Sequence, residues 1–136
     1  MELEQLERRY PNAQQCVFGD NAELCRQLTD LVRSGAKRAT CEALRTFIEK
    51  DLPLPVVDGY VIARNWDGTP AFVIQTTEVR ITVFENVDEE FALEEGENAD
   101  LEGWRTSHRT YFERNGGFDP DMEVVCERFR LIEDFG

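Results

Sequence analysis

Histidine is nearly absent. His108 is the only one in the chain, so a ribonuclease mechanism that passes protons between two imidazoles is excluded. Acid–base chemistry would have to use Lys, Glu, Tyr or a metal-bound water. The four cysteines, Cys16, Cys25, Cys41 and Cys126, include no Cys-x-x-Cys pair, whereas structural zinc sites are built from such close pairs, usually with histidines. Reduced, mostly buried thiols are the expectation. No apolar run approaches the roughly 20 residues of a membrane span, and the opening Met1-Glu2-Leu3-Glu4-Gln5 is not a cationic-then-apolar leader. A cytoplasmic protein is expected. No EF-hand loop, internal repeat, low-complexity tract or DNA-specific motif is found.

Positive charge is also scarce. Fifteen Lys and Arg face 28 Asp and Glu, a net charge of −13. Binding a phosphate backbone wants a basic face, and a field of this sign repels one. Any RNA contact must use a local basic patch, or the ligand must be small. With 41% hydrophobic and 32% charged residues over 136 positions, the chain is globular and of the size of one domain.

Leu3, Leu6 and Tyr10 recur at helical spacing before Pro11. Asp20 followed by Glu23 resembles a capping box, opening a helix through Leu24, Leu28, Leu31 and Val32 that should end at Gly35. Ala36 to Cys41 should be extended or turn-like, and Leu44, Phe47 and Ile48 suggest a short helix closed by Pro53 and Pro55. The period then changes to two. Tyr60 to Arg64 reads as a strand, Asp67-Gly68 as a hairpin turn, and Ala71 to Phe84 as a second strand with a bend near Thr76 to Glu78. Glu85 to Glu97 is acidic. Trp104, His108, Tyr111 and Phe112 mark a helix over Asp100 to Asn115, stopped by Gly116-Gly117, and Met122 to Ile132 is a closing strand. The order predicts an α+β fold closing into a small barrel with flanking helices, with Val61, Ile74, Val79, Val125 and Phe129 pointing inward.

Three places could carry chemistry. Lys37 and Arg38, just past Gly35 and beside Thr40, could grip a phosphate, or a desolvated neutral Lys37 could activate the Thr40 hydroxyl; the same cations also complement a helix C-terminus. With Arg33 and Arg45 they would form a basic lip. Among Glu89, Glu90, Glu94, Glu95 and Glu97, one carboxylate turned inward could act as acid or base or hold a divalent metal, although such runs are commonly solvated faces. His108 shares a helical face with Trp104 and Phe112, as a core residue would. Trp66 could stack on a base or cap the barrel.

Phe18-Gly19-Asp20-Asn21, Gly35-x-Lys37-x-x-Thr40, Thr76-Thr77-Glu78-Val79, Val87-Asp88-Glu89-Glu90-Phe91-Ala92, Trp104-Arg105-x-x-His108 and Val124-Val125-Cys126-Glu127-Arg128-Phe129 together resemble the bacterial ASCH-domain proteins, over about residues 10–133. The resemblance implies a PUA-like β-barrel, a superfamily linked to RNA and modified nucleosides. One branch hydrolyses acetylcytidine; its roles would fall on Lys37 as base, Thr40 as nucleophile and Glu95, or else Glu94 or Glu97, as proton relay. A longer branch binds nucleic acid and is linked to metal-dependent RNA cleavage, and the Trp104 and Val124 motifs look more like that branch. The expectation is thus an ASCH domain binding RNA or nucleotides in a cleft centred on Lys37, with RNA cleavage as a further activity that this branch would imply. An acylcytidine amidohydrolase and a non-catalytic module for a modified base or a protein are the alternatives.

Overall fold

The computed structural model describes residues 2–136. Their elements run α1 (Leu3–Arg9), β1 (Gln14–Cys16), α2 (Ala22–Ser34), β2 (Ala39–Ala43), α3 (Leu44–Glu49), β3 (Tyr60–Arg64), β4 (Pro70–Val83), a 3-10 turn (Phe84–Asn86), α4 (Glu89–Glu94), α5 (Leu101–Arg114) and β5 (Glu123–Asp134). The five strands form one mixed sheet in the order β1-β3-β4-β5-β2. β1 runs parallel to β3, and every other neighbouring pair is antiparallel. The sheet curls into a half-barrel with helices on both faces, so the α+β expectation holds.

Local chemistry explains most of the boundaries. The cap of α2 is Asn21, one residue later than expected: its side chain accepts from Leu24 N at 2.9 Å. Asp20 instead takes the Arg114 guanidinium and the Asn115 amide, tying the start of α2 to the end of α5. Gly35 closes α2 at φ +86°, a conformation that costs a residue with a Cβ. Asp100 caps α5 through Gly103 N. The long strand β4 shifts register between Thr76 and Glu78, where a bend was expected. Two strands were not foreseen as such. β1 is only three residues long and half-exposed, too short to show a period. β2 follows the helix-ending glycine so closely that its segment could be read only as extended or turn-like.

Alternation divides the strands between the two faces. Ala39, Cys41 and Ala43 of β2, with Val124 and Cys126 of β5, pack beneath Phe91, Ala92, Trp104 and Phe112 of α4 and α5. Val61, Ala63, Ile74 and Phe129 face α2 through Phe18, Leu28 and Val32. Leu6 of α1 covers Ile62 and Val73. Of the residues expected to point inward, Val61, Ile74, Val125 and Phe129 are buried, whereas Val79 is only half-buried. It lies past the β4 bulge. Cys25, Cys41 and Cys126 are buried and Cys16 half-buried, all as free thiols.

Candidate functional site

The two candidate residues lie on opposite faces, Thr40 within β2 and Lys37 two residues before the strand begins. Lys37 continues the series Ala39, Cys41, Ala43 and is only 2% exposed. Thr40 is half-buried and lies on the α2 face, opposite Glu127 in the β2–β5 ladder. No hydrogen bond joins Lys37 to Thr40 among the described residues.

The Lys37 ammonium is clamped by acids. Nζ donates to Glu95 Oε1 at 3.1 Å and to Glu97 Oε2 at 2.9 Å. The other Glu95 oxygen accepts from Trp104 Nε1 at 2.6 Å and lies 3.3 Å from His108 Nε2. His108 Nδ1 faces the Trp104 carbonyl at 3.0 Å, so both ring nitrogens of an imidazolium donate, and the ring stacks on the indole. The loop carrying these acids is pinned at Gly96. Its φ is +75°, and a Cβ there would stand 2.4 Å from Ala36 O. Arg38 N also donates to Glu94 O at 2.8 Å.

These contacts set the charge states. Burial pulls the Lys37 pKa down, but the Glu95 and Glu97 charges and hydrogen bonds outweigh it and leave it raised. Burial pushes the Glu95 carboxyl up; Lys37, His108 and Trp104 reverse that and hold it below the usual carboxylate range. Burial lowers His108, and Glu95 more than restores it, so it also lies raised. Of the alternatives open for Lys37, a neutral amine is disfavoured by the two carboxylates, which offset its desolvation.

Glu95, Glu97 and His108 offer ligand atoms within 4.8 Å of one another, a spacing open to a metal ion. The ammonium already stands between the two carboxylates, and a divalent ion there would meet it at close range. The donor set does not fit a divalent metal while Lys37 occupies it. Of the other glutamates, Glu94 is bound to Arg128 at 2.5 Å.

The four cations expected to form a basic lip are largely engaged. Lys37 is buried. Arg33 donates to Asp134 at 2.8 Å and to the Ala71 carbonyl. Arg45 donates to the carbonyls of Gly117 and Asn115 beyond α5. Arg38 is exposed. Trp66, 52% exposed, lines a cavity of about 340 Å³ between α2 and the β3–β4 turn, with Cys25, Arg26 and Asp30.

Sequence reasoning missed the polar groups of the α2 face. Glu127 is 8% exposed and accepts from Thr76 Oγ1 at 2.6 Å. Burial raises its pKa, and only the Thr76 hydrogen bond opposes this. No cation pairs with it among the described residues. Cys16 sits close by, its thiol pushed up to about 12 by burial and then by the Glu127 charge. Arg64 Nε is buried without a hydrogen-bond partner. A signal was present: Glu127 stands between Val125 and Phe129 at strand period two, an acid on the apolar side.

The family model for the ASCH domain matches residues 14–133. Among solved structures, the chain resembles the ASCH domain from Lactobacillus crispatus JV V101, with a TM-score of 0.82 and 29% identity over 95% of this chain and 85% of that one. Protein EF3133 from Enterococcus faecalis V583 gives a TM-score of 0.83 and 29% identity over 96% and 85%. A mutant of ZmASCH from Zymomonas mobilis, at 10% identity and a TM-score of 0.54 over 87% and 66%, shares the fold alone. The comparison with curated proteins returned no match. No helix among the described residues is long and apolar enough to cross a membrane.

Proposed function

The chain belongs to the ASCH domain family, and from that premise we propose that it binds a nucleoside-sized ligand on the α2 face of its sheet, beside Thr40, with Lys37 bracing β2 from the opposite face. The family resemblance supplies the ligand class, RNA and modified nucleosides. The carrying observation is that Thr40 stands opposite Glu127 on the α2 face, whereas the Lys37 ammonium, two residues before β2, is buried between Glu95 and Glu97. Net charge favours a small ligand over a polyanion. At −13, and with Arg33, Lys37 and Arg45 engaged internally, there is little to neutralise successive phosphates.

Amide hydrolysis by a Thr40–Lys37 pair would need a neutral amine on the hydroxyl's side of the strand, and the ion pairs oppose both conditions. RNA cleavage through a metal on Glu95, Glu97 and His108 would need the ammonium displaced. Binding without chemistry at Lys37 is the simpler reading.

The test is calorimetric titration of wild type and Thr40→Val with free nucleosides and with a single-stranded oligoribonucleotide at low and high salt. Nucleoside binding that varies little with salt and weakens in Thr40→Val is expected. Binding confined to the oligonucleotide, and falling steeply with salt, would overturn the proposal.

A further inference from the structure

Glu127 is the one buried carboxylate of the described residues with a hydroxyl for a partner and no cation. Buried acids are ordinarily paired, and one that is not is costly unless something else uses it. Lys37 and His108 serve Glu95, on the other face. On the α2 face, Thr40, Glu127 and Val79 lie side by side across β2, β5 and β4, and the bulge after Thr76 aims its hydroxyl at Glu127 Oε2. Thr76 is itself held at both backbone groups, donating to Gly59 O and accepting from Asp58 N. Oε1 of Glu127 has no protein donor, and the Thr40 hydroxyl has no side-chain partner. A rigid acceptor and a free hydroxyl thus lie together on neighbouring strands.

We propose that Glu127, Thr76 and Thr40 form the recognition edge of the ligand site, and that it selects a planar group carrying two adjacent N–H donors, such as the N1–H and N2–H edge of guanine. This rests on the function proposed above and names the chemistry its ligand must bring. An ionised carboxylate only accepts, so it rejects an edge of acceptors and pairs with neighbouring N–H donors. The strongly negative molecule adds to that preference, because a donor edge carries partial positive charge. Thr76 occupies one lone pair of Oε2 and fixes the plane of the carboxyl. Thr40, able to donate and accept, can meet a carbonyl or ring nitrogen at the side of the base.

The ligand would bind the ionised carboxyl, so affinity should fall as pH drops through the raised Glu127 pKa. The other titratable groups of this region are Cys16 on β1, Cys25 on α2 and Arg64 on β3. The Cys16 thiol stays protonated across the range concerned, titrating near 12.

The experiment titrates wild type, Glu127→Gln and Thr40→Val with guanosine, uridine and methylguanidinium over a pH series running down from neutrality into the ordinary carboxylate range. Melting curves check that the near-isosteric Glu127→Gln variant is folded. Guanosine should bind at least tenfold tighter than uridine, with a preference lost in Glu127→Gln and an affinity that falls toward low pH in wild type alone. Guanosine affinity unchanged in folded Glu127→Gln, or flat with pH, would overturn the inference. Nucleosides that bind with equal affinity and respond to Thr40→Val would sink the Glu127 assignment and leave the site reading standing. Methylguanidinium binding that needs Glu127, with no nucleoside bound, would do the reverse. No binding by any probe would overturn both.

Discussion

Trp104 Nε1 donates to Glu95 Oε2 at 2.6 Å while the Lys37 ammonium holds the other oxygen at 3.1 Å. An indole from α5 and a lysine from the approach to β2 thus grip one carboxylate from opposite sides, and the acidic loop between α4 and α5 is locked to the sheet.

The first prediction follows from that grip. Lys37→Met removes the cation and leaves Glu95 buried with its charge only partly met by His108, which should destabilise the protein by about 3–5 kcal/mol. Adding Glu95→Gln should recover part of the loss, since a neutral amide costs less to bury. Urea unfolding of the single and double variants measures both. An unchanged midpoint for Lys37→Met would show that the ion pairs carry no net stability.

The pH response has two limbs of opposite sign. Glu95 lies depressed from 4.5 to about 2, so its contribution is present above pH 4.5 and is lost as pH falls toward 2. His108 is raised above 6.5, so its contribution is full below pH 6.5 and fades as pH climbs through the folded value. Stability should therefore decline on the alkaline side, and His108→Gln should flatten that decline. Melting temperatures from pH 3 to 9 would reveal it; a decline equal in both proteins would assign it elsewhere.

Glu127 should behave in the reverse sense to Glu95. Its folded pKa is raised above 4.5, so its penalty on folding sets in as pH rises past 4.5 and is complete above the folded value. Glu127→Gln is expected to melt higher than wild type at neutral pH and to match it near pH 4. A group that costs stability where it is charged is what a binding residue commonly looks like. A lower melting point at neutral pH would mean that the Thr76 hydrogen bond outweighs the buried charge.

Gly96→Ala should be costly out of proportion to one methyl group. The added carbon would meet Ala36 O, a backbone atom, at 2.4 Å and would also bear the positive φ. The expected loss exceeds the ~1 kcal/mol typical of a glycine replaced in the left-handed region. Thermal melting checks it, and retention of the wild-type midpoint would show the loop free to move off Ala36.

Much of this arrangement could be read from the residues. The long strands, the bend of β4 at Thr76 and the helix through Trp104 and His108 all announce themselves by period. Among the glutamates the residues alone made no choice, and Glu95 was singled out only by the family resemblance; in the structure Glu95 and Glu97 both lie on Lys37. What the sequence hid was reach. Nothing near Lys37 says that its partners lie some sixty residues on, so its role stayed open between phosphate grip, hydroxyl activation and helix-dipole complement. Arg33 and Arg45 look free in sequence because Asp134 and the carbonyls after α5, which engage them, are equally remote. Glu127 was visible as an acid in an apolar row but lay inside a motif read for its hydrophobic members.

The sheet order has a consequence for how the polypeptide is made. β2 is synthesised early, yet in the finished sheet its only strand neighbour is β5, so Ala39 waits for Arg128. Until β5 emerges, β2 has no strand neighbour, while the β3–β4 hairpin and the Glu95 and Glu97 carboxylates that meet Lys37 are already made. Synthesis should therefore pass through a stage in which the hairpin is formed and β2 is still unpaired. A ribosome stalled before β5 would display that species, with β2 exposed to protease and available to a chaperone.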